Sequence, residues 1–270
     1  MAETKSTSQE VNPRLGLKQS DRLDSITEMV LSLGSMRIDE LVDLFGVSIM
    51  TIHRDLDELD TKGLLRKSRG MVTAVSTSLF EASTEYRVRQ SRVEKSAVAK
   101  VAFDYIDPGQ AVILDDSTTG LVLAEMLVDK RPLTVITNFQ RMINVLKDQP
   151  GINLISTGGQ YYQWCEAFMG TVALAGLRSL RADVVIMSSP AVTNGVCYHQ
   201  HHDAVLMKQA MFEAANTKIL YFDHSKLEKR ALHAHLKVSD FDIVIVDSNT
   251  SEEQRDHLRE AGANLVIAQI

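Results

Sequence analysis

Hydrophobic residues recur at helical spacing in three short segments near the N terminus. Their apolar stripes consist of Leu23, Ile26, Val30 and Leu33; of Ile38, Leu41, Val42 and Phe45; and of Ile52, Leu56 and Leu59. Each stripe is typical of an amphipathic helix, and Gly34, Gly46 and Gly63 mark the three helix ends. A β-hairpin is predicted around residues 68–70, where two short β-prone pieces meet.

From Gln110 onward, short β-branched runs alternate with helical segments. The runs are residues 111–114, 133–137, 152–155, 184–187, 218–222, 243–246 and 265–267, and the helical segments include 121–128, 139–146, 205–215 and 251–260. Such alternation predicts a mostly parallel sheet with helices on both faces. The sequence therefore predicts an α/β class of fold with four parts. These are a flexible tail over 1–19, a winged helix-turn-helix over 20–76, a connecting helix over 77–108 and an α/β domain over 109–270.

Composition narrows the class of protein. The chain has 270 residues, 44% hydrophobic and 24% charged, which suits a soluble globular protein of about two domains. Two cysteines cannot form a disulfide framework, and no apolar run approaches the ~20 residues of a membrane helix. We expect a cytoplasmic protein with no membrane partner. The net charge of −6 means that any DNA binding has to rest on local basic residues.

The second and third helical segments have the spacing of a helix-turn-helix. If the apolar stripe of the third faces the core, Met50 and Arg54 point away from it, and Thr51 and His53 lie on its flanks. Because a recognition helix enters the major groove N-terminal end first, these residues and Ser48 are placed to meet DNA. Four basic residues with no acid between them are candidates for phosphate contacts: Lys62, Arg66, Lys67 and Arg69. The simpler alternative is a three-helix unit with a solvated basic hairpin.

Polar loops follow several predicted strands. They contain Asp115, Ser117, Thr118 and Thr119 after the first strand, Thr137 and Asn138 after the second, Gly158 and Gly159 after the third, and Lys226 after the fifth. Ligands of such sheets bind at the carboxyl ends of the strands. Hydroxyls and amides at a helix N terminus favour an anion, and a lysine adds a point charge. Together the loops predict a pocket for a phosphorylated small molecule, although each alone is more simply an N-cap or a turn.

Residues 198–203 hold three histidines and an acid, a set that a transition metal could bind. A solvated loop at the mouth of the pocket is the favoured interpretation, so no metal and no cofactor are predicted.

Motifs in both halves of the chain resemble those of the DeoR family of bacterial transcriptional regulators. They are Phe45-Gly46-Val47-Ser48, Thr51-Ile52-His53-Arg54-Asp55-Leu56 and Gly63-Leu64-Leu65, then Asp115-Asp116-Ser117-Thr118-Thr119, Thr137-Asn138, Gly158-Gly159 and Asp223-His224-Ser225-Lys226. Arg87, Lys95 and Lys208 also match family positions. The sequence departs from the family at His53, where Arg is usual, and at Ser117, where Gly is usual.

The resemblance implies a winged helix-turn-helix that binds double-stranded operator DNA. It also implies an effector domain similar in fold to ribose-5-phosphate isomerase, with a phosphorylated sugar or related metabolite as ligand and Lys208 in the effector site. A repressor is favoured, acting as a homo-oligomer, a dimer or tetramer, on two-fold related operators. The alternative is an isomerase-like enzyme with a DNA-binding appendage. Such an enzyme needs an acid after the fourth strand, where residues 188–191 contain none, so no enzymatic activity is predicted.

Overall fold

The computed structural model of the chain describes residues 15–33, 35–74 and 84–270. Their internal contacts divide the chain into two units, 1–76 and 77–270. Most of the predicted tail, residues 1–14, lies outside the described residues, as does Gly34, the predicted end of the first helix.

The described part of the N-terminal unit combines three helices with a small antiparallel sheet. In chain order the elements are α1 (Gln19–Leu33), β1 (Ser35–Arg37), α2 (Ile38–Phe45), α3 (Ile49–Thr61), β2 (Leu65–Ser68) and β3 (Met71–Ala74). The strand order is β1-β3-β2, so the predicted hairpin is confirmed and gains a third strand. Strand β1 is three residues long, too short for its alternation to predict a strand from the sequence.

The turn between α2 and α3 follows from two residues. Gly46 has a φ of 61°, a left-handed conformation that glycine adopts readily, and its amide donates to the carbonyl of Val42. Ser48 then caps α3, with its Oγ accepting a hydrogen bond from the amide of Thr51. Most residues of the three apolar stripes are buried: Leu23, Ile26, Val30, Ile38, Leu41, Phe45, Ile52, Leu56 and Leu59.

The second unit is built on a parallel sheet. In chain order its elements are α4 (Thr84–Arg89), α5 (Arg92–Phe103), β4 (Ala111–Leu114), α6 (Thr118–Met126), β5 (Leu133–Thr137), α7 (Gln140–Leu146), β6 (Ile152–Ser156), β7 (Gln160–Tyr162), β8 (Ala167–Met169), α8 (Thr171–Arg178), β9 (Ala182–Met187), β10 (Ala191–Thr193), β11 (Val196–His199), α9 (His202–Glu213), β12 (Ala215–Phe222), β13 (His233–Lys237), β14 (Ile243–Asp247), α10 (Glu252–Glu260) and β15 (Leu265–Ala268). Short 3₁₀ turns cover Leu127–Lys130, His224–Leu227 and Val238–Asp240.

The seven predicted runs form the seven strands of this sheet, in the order β15-β14-β12-β9-β4-β5-β6. All neighbouring strands are parallel, and each face carries its own hydrophobic core under a layer of helices. The chain leaves β4 toward β5 on one side and returns to β9 on the other. The carboxyl ends of β4 and β9 therefore form the crevice where open α/β sheets bind ligands.

Several elements of this unit are not predicted by the sequence pattern. These are α8, the hairpin β7-β8 and the antiparallel sheet β10-β11-β13. Their strands have three to five residues, which is too few to establish a period.

The predicted connecting helix over 77–108 also differs from the structure. Within the described residues it is divided into α4 and α5, because Ser91 adopts a left-handed conformation with a φ of 49°. Helix α5 buries Ala97, Val98 and Ala102 in one of the two sheet cores. Its alanine and valine residues thus form the packed face of a core helix. Among the described residues, no helix is long and apolar enough to span a membrane.

Candidate functional site

Helix α3 presents a polar face away from the core of the N-terminal unit. Met50 is 75% exposed, Arg54 and the N-cap Ser48 are exposed, and Thr51 and His53 are half-buried. The apolar stripe on the other side of the helix is buried. The structure thus gathers the predicted groove-facing residues on the N-terminal half of one helix face.

The four basic residues of the predicted phosphate strip differ in their partners. Lys62 lies 2.6 Å from a carboxylate oxygen of α3, and Lys67 pairs with another carboxylate of the same helix. Arg66 and Arg69 are exposed and form no ion pair with the described residues. Exposed ion pairs are weak, so a phosphate could displace the carboxylates from both lysines.

A buried ion pair joins α1 to α3. Arg22 Nε lies 2.6 Å from Asp55 Oδ2, and both side chains are almost completely excluded from solvent. Arg22 also donates to the carbonyl of Leu17 at 3.1 Å. The sequence reasoning missed this pair, although Asp55 lies three residues after Ile52 and so falls on the buried side of the helix. Asp55 therefore fixes the position of α3 and does not face outward.

A polar cavity lies at the carboxyl ends of β4 and β9. It is lined by Arg87, Lys95, Asp116, Ser117, Thr118, Thr119, Ser188, Ser189, Pro190, His199, Lys208 and Lys226. Lys and Arg side chains outnumber carboxylates in this wall by four to one. The structure thus brings together Ser117, Thr118, Thr119, Lys208 and Lys226 from the predicted effector set.

The start of α6 forms one wall of this cavity. Ser117 is the N-cap, and its Oγ accepts a hydrogen bond from the amide of Gly120 at 3.0 Å. The first amides of a helix have no carbonyl partner within the helix, and the helix dipole adds partial positive charge there. Thr118 and Thr119 add hydroxyls at the same place. This wall is therefore suited to an anion.

Beneath the cavity, Lys208 of α9 and Asp115 form a buried ion pair with a separation of 2.5 Å. Lys208 also donates to the carbonyl of Ser188, and lies 3.8 Å from Asp116. Asp115 accepts two further hydrogen bonds, from the amides of Ser117 at 3.2 Å and Ser188 at 2.9 Å. Asp115 is predicted from the sequence to bind the effector. The structure instead makes it the group that holds the loops after β4 and β9 together.

Cations from the segment before the sheet and from the turn after β12 complete the cavity. Lys95 of α5 is 2% exposed, and its ammonium donates to the carbonyls of Arg87 and, at 2.7 Å, of Gln90. Burial, together with the nearby Lys226 ammonium, lowers the pKa of Lys95 to about 7. Lys226 lies 3.5 Å from the buried Asp223. Burial raises the pKa of Asp223, but Lys226 and other neighbouring donors and cations bring it below its ordinary value.

Besides Asp115, four further predicted effector residues do not line this cavity. The Thr137 hydroxyl accepts a hydrogen bond from the amide of Phe139. The side-chain amide of Asn138 donates to the carbonyl of Phe168 at 3.2 Å. Gly159 has a φ of 108°, and a Cβ there would lie 2.6 Å from a backbone oxygen of β8. Together with Gly158, these residues form the junction between the ends of β5 and β6 and the hairpin β7-β8. Backbone groups approach closely at this junction.

The sequence reasoning did not place Arg87, Lys95, Asp116, Ser188, Ser189, Pro190 and His199 in the effector site. The signal for the serines is the polar loop after the fourth strand. The solvated loop predicted around His199 is wrong, since β11 pairs with β13 and leaves His199 2% exposed. His201 instead stacks on Trp164, with ring centroids 3.9 Å apart. In the described residues no group of three or more His, Cys, Asp or Glu side chains is placed to hold a metal.

Two family matches correspond to the two units of the chain. Residues 22–78 match the DeoR-like helix-turn-helix domain, and residues 90–248 match the DeoR C terminal sensor domain. A putative aga operon transcriptional repressor of Escherichia coli O157:H7 is 29% identical, covering 92% of this chain and 93% of the relative. A lactose phosphotransferase system repressor of Staphylococcus aureus strain NCTC 8325 / PS 47 is 31% identical, covering 88% and 95%.

Among solved structures, ribose 5 phosphate isomerase A from Neisseria gonorrhoeae matches at 15% identity with a TM-score of 0.37, covering 49% of this chain and 52% of the isomerase. A helix-turn-helix unit followed by a sensor domain with a polar cavity defines a transcriptional regulator. The chain belongs to the DeoR family of transcriptional repressors. Both relatives are named as repressors, so the alternative of an isomerase-like enzyme is not supported.

Proposed function

We propose that this repressor binds operator DNA through α3 and that a phosphorylated sugar in the cavity at β4 and β9 alters its affinity for the operator. The observation that carries the proposal is the wall of this cavity, where a helix N terminus and four Lys or Arg side chains converge. That environment favours a phosphate over a neutral or cationic ligand.

On the DNA side, we place the N-terminal half of α3 in the major groove. Arg54 has the length and the forked donors that recognise guanine, and Ser48, Thr51 and His53 lie on the same side to contact neighbouring groups. Arg66 and Arg69, in and at the tip of the hairpin, contact the phosphate backbone, with Lys62 and Lys67 at its flanks. Regulators of this geometry bind two-fold related half-sites, which supports a homo-oligomer as the active form.

On the ligand side, the cavity has two chemically distinct ends. We place the phosphate against Thr118, Thr119 and the cations Lys226 and Lys95. The sugar hydroxyls face Asp116 and the serines that follow β9, since a carboxylate accepts hydrogen bonds and repels a phosphate. The name of the Staphylococcus relative refers to a phosphotransferase system for lactose, which supports a phosphorylated sugar as the class of ligand.

The test begins with DNA that the full chain selects from a random duplex library. Fluorescence anisotropy then measures the affinity of the selected duplex with and without each member of a panel of sugar phosphates and their unphosphorylated sugars. We expect some phosphorylated sugars, and none of the free sugars, to change the affinity. If no duplex is enriched the DNA assignment fails, and if no phosphate changes the affinity the effector assignment fails.

A further inference from the structure

Two donors that line the ligand cavity also hold the end of helix α4. The Lys95 ammonium donates to the carbonyls of Arg87 and Gln90. The Thr118 hydroxyl lies 3.5 Å from the same Arg87 carbonyl. Both Lys95 and Thr118 belong to the cavity wall. A ligand in the cavity and the C-terminal end of α4 therefore compete for the same donors.

Helix α4 depends on these donors more than a long helix would. It has only six residues, and the last carbonyls of any helix lack amide partners within it. Ser91, two residues after the end of α4, adopts the left-handed conformation that separates α4 from α5. The backbone hydrogen bonds of α4 therefore do not continue into α5. The segment that enters α4 comes from the helix-turn-helix unit. Helix α4 is thus the first described element after the DNA-binding part of the chain.

We propose that the phosphate of the effector takes over the Lys95 ammonium and the Thr118 hydroxyl, and thereby releases the C-terminal carbonyls of α4. Ligand binding in the cavity thus changes the contacts of Lys95 with α4, the helix that follows the DNA-binding unit in the chain. This inference rests on the proposed function, because it requires a phosphate-bearing ligand in this cavity. It adds the route by which that ligand changes the rest of the chain.

The surroundings of Lys95 explain why an anion would attract it. The positive side chains of Lys226, Arg87 and Lys229 all act on its ammonium, and the Asp223 carboxylate opposes them. An ammonium buried among like charges is unfavourable, and an apolar side chain of similar length would pack there without that repulsion. A phosphate placed among these cations removes the repulsion. The free energy gained is then available to displace the carbonyls of α4.

Amide hydrogen exchange of the full chain tests the proposal, with inorganic phosphate as the probe and chloride of equal ionic strength as the reference. Phosphate binding is measured separately by ³¹P NMR line broadening. In the wild type we expect phosphate to accelerate exchange in residues 84–91 roughly tenfold, the effect of losing one charge-assisted hydrogen bond. In Lys95→Met we expect fast exchange with and without phosphate. Lys100→Met, which removes an exposed cation from the same helix, should behave as the wild type.

The outcomes separate this inference from the proposed function. If wild-type protein fails to bind phosphate, both are overturned. If it binds phosphate but exchange in residues 84–91 is unchanged, only the present inference is overturned. The same conclusion follows if Lys95→Met without phosphate exchanges as slowly as the wild type. Without phosphate, Thr118→Val, which leaves the Lys95 contacts in place, should exchange faster in residues 84–91 than the wild type but more slowly than Lys95→Met.

Discussion

The Lys208 ammonium lies 2.5 Å from a carboxylate oxygen of Asp115, and the two side chains are 4% and 0% exposed. This pair joins α9 to the loop after β4, while Asp115 also accepts the amide of Ser188 after β9. The two loops at the topological switch point are thus fixed relative to each other before any ligand arrives. A preformed floor of this kind reduces the loss of conformational freedom on binding.

Lys208→Met should lower the free energy of unfolding of the sensor unit by about 3 kcal/mol, since it leaves Asp115 charged, buried and without its cation. Urea denaturation monitored by the single tryptophan, Trp164, measures the change. Lys147→Met, an exposed lysine at the end of α7, is the matched control and should have almost no effect. Equal stabilities of the two variants would show that the pair is not important for folding.

A second buried pair, Arg22–Asp55, predicts a local effect in the N-terminal unit. Arg22→Met should increase amide exchange throughout α3, because Asp55 is then a buried carboxylate without its cation. The double variant Arg22→Met/Asp55→Leu should recover most of the protection, since no unpaired charge is left. A double variant as unprotected as the single one would argue that the packing of Arg22, and not its charge, holds α3.

A substitution in the turn of the hairpin β2-β3 separates the effect of charge on DNA binding from any effect on folding. Arg69 has a φ of 44° at a two-residue turn, a conformation that glycine adopts with less strain. Arg69→Gly should therefore keep or increase stability while it removes one phosphate contact. We expect the slope of log affinity against log salt to become shallower by about 0.9 on the selected duplex. Arg178→Ala, an exposed arginine of the sensor unit, serves as the control and should leave the slope unchanged.

Arg54→Ala tests groove recognition on the same duplex. If Arg54 hydrogen-bonds a base, its loss should weaken binding by about 1–3 kcal/mol and relax specificity at one position. Competition with single-base variants of the duplex measures both effects. A uniform loss over all variants would instead assign Arg54 to the phosphate backbone.

The sequence predicts the seven parallel strands because each is a short run rich in β-branched or other apolar residues, and it predicts the stripes of α2 and α3 because their apolar residues recur at 3.6-residue spacing. The loops after β4 and β12 were also found, since helix N-caps and lysines after strands have recognisable chemistry. The sequence did not reveal that Asp115 would pair with Lys208, which lies 93 residues away. Neither did it place Arg87 and Lys95 in the cavity, because that depends on the turn at Ser91, a residue with no local preference for a left-handed conformation.

The pH dependence of stability gives a direct test of the surroundings of Lys95. Its pKa is lowered from the ordinary 10.5 to about 7, chiefly by burial and then by Lys226. Between pH 7 and 10.5 the unfolded chain therefore binds more protons at this site than the folded chain, so the contribution of Lys95 to the free energy of unfolding increases with pH in this interval. Below pH 7 the ammonium is charged in both states, and Lys95 destabilises the folded chain to its full extent. Lys95→Met should consequently be more stable than the wild type at pH 6, and this advantage should shrink as the pH rises toward 10.

Thermal unfolding of both proteins across this range measures the difference, with Lys100→Met as the control for losing a lysine from α5. Phosphate should reduce the advantage at pH 6, because an anion in the cavity offsets the repulsion that Lys95 experiences. A stability difference between Lys95→Met and the wild type that is constant with pH would show that Lys95 is not surrounded by cations in the folded protein.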